Sequence, residues 1–79
     1  MKMRRRKVSR KLEGRYVFIR WTDPEADWHW YQVLHVRPKR GTVKVQGIDA
    51  PGRIGGLGTF VGGPDTWPVD DIREVWTWD

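Results

Sequence analysis

Apolar residues gather in short β-branched and aromatic runs separated by turn residues, and no segment has helical periodicity, so the chain reads as all-β. Arg15-Tyr16-Val17-Phe18-Ile19-Arg20-Trp21 predicts a first strand, closed by the turn chemistry of Thr22-Asp23-Pro24-Glu25. Trp28-His29-Trp30-Tyr31-Gln32-Val33-Leu34-His35-Val36 predicts a longer second strand, stopped by Pro38 and reversed at Lys39-Arg40-Gly41. In the third, Thr42 to Ile48, Val43 and Val45 alternate with Thr42, Lys44 and Gln46, which gives it one apolar face. Trp67-Pro68-Val69 predicts a short strand, Asp70-Asp71-Ile72 a tight turn, and Arg73 to Trp78 a last strand.

Side chains alternate along a strand, so Trp28, Trp30, Gln32, Leu34 and Val36 share one face of the second strand, and His29, Tyr31, Val33 and His35 the other. The first set is the expected core face. Near the start of that strand, Trp28 and Trp30, together with Trp21 and Tyr31, form the expected aromatic surface. His29 and His35 are six residues apart, roughly 20 Å along a strand, too far to share an ion. No metal site and no cofactor are expected. Six glycines (52, 55, 56, 58, 62 and 63) and two prolines (51 and 64) fall between Asp49 and Thr66, a composition that predicts a long loop.

Length changes the picture by limiting the core. Seventy-nine residues suit one domain. Met1 to Lys11 has only Met1, Met3 and Val8 as apolar residues and is expected to be a disordered arm, with residues 12–79 as the folding unit. Ten large rings, six of them Trp, exceed what so small a body hides, so some are expected at the surface. The absence of Cys excludes disulfides and cysteine-based zinc sites. No apolar stretch is long enough for a membrane span, and the basic start lacks the apolar segment of a secretory signal, so an intracellular, cytoplasmic or nucleoid-associated protein is expected.

Four or five short strands are best served by a small antiparallel barrel, which leaves few open edges. Trp30-Tyr31-Gln32-Val33 on the second strand and Val69-Asp70-Asp71-Ile72-Arg73 at the close resemble the SH3-like barrels of the Tudor type, over about residues 14–76. That resemblance implies a five-stranded antiparallel barrel. The third strand ends Val45-Gln46-Gly47-Ile48-Asp49, without the aromatic that Tudor readers of methyl-lysine usually place there. A complete aromatic cage is therefore not expected.

Charge supplies the functional expectation. Lys2, Arg4, Arg5, Arg6, Lys7, Arg10 and Lys11 give the first eleven residues +7, while eight basic and ten acidic residues leave the remainder at −2, for a total of +5. A second basic cluster, Arg37-Pro38-Lys39-Arg40, lies at the turn between strands two and three. Asp70, Asp71, Glu74 and Asp79 would repel phosphate from the C-terminal side and so orient a polyanion to the opposite pole. The chain lacks a Cys nucleophile, a Gly-x-Ser-x-Gly elbow and a phosphate-binding loop with its Lys, so no enzyme is expected. The leading expectation is a nucleic-acid-binding protein, duplex DNA ahead of RNA, in which Arg4, Arg5, Arg6, Lys7, Arg10, Lys11, Arg37, Lys39 and Arg40 contact phosphate. Trp21, Trp28, Trp30 and Tyr31 would add an aromatic surface for bases. The alternative is a protein interaction module that works through its Trp residues, such as a phage or bacterial accessory or virion assembly protein.

Overall fold

A computed structural model describes residues 2–26, 29–48 and 62–78, with Trp78 by its backbone alone. Among these residues the fold is all-β. Its strands are β1 (Met3–Arg6), β2 (Tyr16–Trp21), β3 (Trp30–Arg37), β4 (Thr42–Gly47), β5 (Asp65–Pro68) and β6 (Ile72–Trp78), with short 3-10 turns at Arg10–Leu12 and Val69–Asp71. They form one antiparallel sheet in the order β1-β6-β2-β3-β4-β5. No helix among the described residues is long and apolar enough to cross a membrane.

The core is a set of cross-strand pairs on one face. Val17 and Ile19 of β2 lie opposite Thr77 and Val75 of β6, and Val33 and Val36 of β3 lie opposite Val45 and Val43 of β4. All eight are buried, together with Leu12 and Ile48. Burial of these β-branched side chains, at roughly 25 cal/mol per Å² of apolar area, is the main stabilising contribution. The sheet is also rolled. Two strands separate β2 from β5, so a flat sheet would hold them about 14 Å apart. The rings of Trp21 on β2 and Trp67 on β5 nevertheless lie 5.6 Å apart, centroid to centroid.

Three expectations are corrected. The strand count is six among the described residues, because part of the segment expected to be a disordered arm is ordered: Met3–Arg6 pair with β6 from Met3↔Trp78 to Arg6↔Val75. The scarcity of apolar residues argued against an ordered segment, but an edge strand needs only backbone partners, and β6 offers an unpaired edge. Arg6 Nε also donates to the hydroxyl of buried Thr77 at 3.3 Å, Val8 packs on the core, and Leu12 lies within it.

The second correction concerns β3. Its register slips between Val33, opposite Val45, and His35, opposite Lys44, so Leu34 is the extra residue of a β-bulge. Leu34 is accordingly 38% exposed, whereas Val33 and Val36, three positions apart, both point inward. Third, the faces at the start of β3 are reversed. Trp30 lies opposite Phe18, the residue between buried Val17 and Ile19, and therefore sits on the outer face, while Tyr31 lies opposite Val17 and packs against the core. The expected loop over 49–66 falls mostly outside the described residues; within it, Asp65 and Thr66 open β5.

Candidate functional sites: a basic groove and an aromatic pocket

The β3–β4 connection is a compact turn. The Arg40 amide donates to the Arg37 carbonyl at 3.1 Å and the Gly41 amide to the Pro38 carbonyl at 3.2 Å. Gly41 has φ +65°, the left-handed conformation that favours glycine. Arg37, Lys39 and Arg40 are all exposed on this turn. They line a shallow groove of about 480 Å³ together with Arg10, His35, Val36 and Pro38.

Arg10 reaches the groove because the chain is pinned on either side of it. Two residues later Leu12 is buried, and the Glu13 carboxylate accepts the Val36 N–H at 2.9 Å, lies 2.8 Å from His35 Nδ1 and 3.8 Å from Arg10 Nε. The Val36 amide is the main reason the Glu13 carboxyl is held below the usual carboxylate range; desolvation opposes the effect, and Arg10 and His35 reinforce it. The acid thus stays ionised and ties the 3-10 turn to β3.

The remaining predicted phosphate contacts divide. Arg5, Arg6 and Lys7 line a second groove of about 500 Å³ with Arg73, between β1 and the Val69–Asp71 turn. Arg5 lies 3.9 Å from Glu74, which offsets part of its charge there. The Val69 amide donates to the Gly41 carbonyl at 2.8 Å, so this groove adjoins the basic turn of the first. Arg4 and Lys11 are exposed but line neither groove.

The aromatic residues do not form one surface. Trp21 and Tyr31 meet edge to face, with centroids 5.5 Å apart and planes at 84°, and Trp67 closes on Trp21 at 5.6 Å and 59°. These three rings line a pocket of about 410 Å³ with Thr22, Asp23, Ala26 and Asp71. Asp23 is fixed there by a turn of its own, its Oδ1 accepting the Glu25 N–H at 2.9 Å, and the Thr22 amide donates to the Asp71 carbonyl at 2.9 Å. Trp30 is elsewhere: on the outer face it packs edge to face on Phe18 at 5.0 Å, and Phe18 stacks on His29 at 5.1 Å. Trp28 lies outside the described residues.

Trp67 is the pocket residue that sequence reasoning missed. The strand carrying it was legible, but its meeting with Trp21 depends on the roll of the sheet. Among the described residues no basic side chain lines this pocket; Arg20 and Arg73 line a neighbouring depression that shares Trp21, Asp23 and Ala26. Tyr31 and Arg37 lie six residues, or roughly 20 Å, apart on β3, whereas Trp67 joins the pocket from opposite Val43, itself opposite Val36. The two histidines serve separately, His29 Nδ1 lying 2.9 Å from the Ile19 carbonyl and His35 on Glu13. Among the described residues no group of three or more His, Cys, Asp or Glu is placed to hold a metal ion. No protein-family model, curated protein or solved structure matches the chain.

Proposed function

We propose that this protein binds nucleic acid, duplex DNA in preference to RNA, through the basic groove and the Arg-rich β1 that adjoins it, and that it is a binding protein rather than an enzyme. The observation that carries this reading is the convergence of Arg10 with Arg37, Lys39 and Arg40 in one groove, from segments 27 or more positions apart. Four cations on a shallow surface suit a phosphate backbone, and the second groove extends the track with Arg5, Arg6, Lys7 and Arg73. Within this reading the rolled β6-β2-β3-β4-β5 part of the sheet is an SH3-like barrel of the Tudor type, with β1 added at its edge.

The test is anisotropy of a labelled random-sequence duplex titrated with the full chain and with Arg37→Gln/Lys39→Gln/Arg40→Gln at several salt concentrations. Three lost phosphate contacts should reduce the slope of log K against log salt by roughly 2.7. Equal affinity and slope for both proteins at low salt would reject the groove as the site. Removing residues 1–11 would be a poorer test, since it strips β1 from β6.

A second reading, a protein interaction module, is favoured by the aromatic pocket. Trp67 is 40% exposed there, among rings that a partner could cover.

A further inference from the structure

The pocket of Trp21, Tyr31 and Trp67 joins ring faces to carboxylates, and the polyanion reading does not use it. Ring faces carry the negative part of the aromatic quadrupole, and a cation within about 6 Å of a ring centroid is attracted to them. Asp23 and Asp71 line the same space, and among the described residues no basic side chain lines it; Arg20 and Arg73 line the depression beside it. The chemistry selects a cation on a flexible stem, an arginine or lysine side chain.

We infer that the occupant is the Arg37–Arg40 turn of a second copy of this chain, so that molecules associate head to tail. Charge complementarity supports this: the turn presents three exposed cations and the pocket two carboxylates. The turn is also preorganised by its two backbone hydrogen bonds and Gly41, so little conformational freedom is lost when it docks. A molecule's own turn does not fill its pocket: Arg37, Lys39 and Arg40 line the separate basic groove and are not among the residues that line the pocket. Since the docked patches differ, the contact is heterologous. Each added copy leaves one pocket and one turn unfilled, and growth continues unless the rotation closes a ring. The inference does not rest on nucleic-acid binding, although both would use the same turn and so compete for it.

Sedimentation velocity of the full chain, without nucleic acid and from micromolar to millimolar concentration at low salt, tests the contact. Mass is expected to rise with concentration past the dimer and to fall back as ionic strength is raised to about 0.5 M, where the Debye length is a few ångströms. Trp67→Ala removes a pocket wall, and Arg37→Gln/Lys39→Gln/Arg40→Gln removes the cations. Each variant alone should associate at least about tenfold more weakly, a loss within the range of a desolvated cation–ring contact. An equal mixture of the two should recover a complex that stops at two chains, since one variant keeps the turn and the other the pocket. Circular dichroism checks that both retain the wild-type fold; Asp71→Asn, which alters only a lining carboxylate, replaces Trp67→Ala if that variant unfolds. Wild-type protein that stays monomeric throughout, a variant that associates as well as wild type, or a mixture that forms no complex would overturn the inference. None of these outcomes bears on duplex binding, which is measured separately.

Discussion

The cations of the basic groove's turn stand outside the core, whereas Trp21 and Tyr31 of the aromatic pocket are part of the packing. Arg37, Lys39 and Arg40 are exposed, and the turn that carries them is held by backbone hydrogen bonds and a glycine. Trp21 and Tyr31 pack against the core cluster and line the pocket with the same rings. Arg37, Lys39 and Arg40 can therefore change without cost to the fold, while Trp21 and Tyr31 cannot. Charge on a hairpin tip is a surface property; a pocket of rings is a consequence of how the sheet rolls.

The largest effect that sharpens this contrast is expected for Trp21→Ala. It should lower stability by about 3 kcal/mol, near the lower end for loss of a large aromatic side chain because Trp21 is only partly buried, as measured by urea denaturation. Trp67 makes its ring contact with Trp21 from an edge strand whose residues are all exposed, so Trp67→Ala should cost about 1 kcal/mol. If Trp67→Ala destabilised as much as Trp21→Ala, the pocket would be core rather than rim. Neutralising Arg37, Lys39 and Arg40 together should leave stability within about 0.5 kcal/mol of wild type, as expected for surface changes that break no cap or core contact.

The same contrast explains which features were legible in the sequence. Val43 and Val45 of β4 alternate with polar residues, and that pattern alone located a strand and its buried face. The Arg37–Gly41 turn was equally legible, because Pro38 and Gly41 act locally. β1 was not, since Arg4, Arg5 and Arg6 have no apolar pattern and their order comes from the open edge of β6, which no local window contains. Leu34 was assigned to the core because alternation presumes an unbroken ladder; the bulge turns both Val33 and Val36 inward, so a face that fits Val36 is wrong for Leu34 and for the earlier Trp30. Trp67 was legible as a strand residue and not as a pocket wall, because its neighbour Trp21 is supplied by the curvature of the whole sheet. Residues that act through nearest neighbours in the chain were readable; those that act through sheet edges, register or roll were not.

Glu13 should give the smallest effect on stability and tests the basic end by itself. Its carboxylate holds the Val36 amide and lies against His35 and Arg10, and its folded-state pKa is lowered. A carboxyl titrating lower in the folded than in the unfolded chain contributes stability above its unfolded pKa, about 4.3 for Glu, and loses it as pH falls through the folded value. Glu13→Gln keeps the shape and removes the charge. The variant should therefore melt at a slightly lower temperature than wild type near neutral pH, and the two melting curves should converge as pH falls below the folded value. A difference that persisted unchanged into acid would mean that Glu13 acts by packing and not by charge.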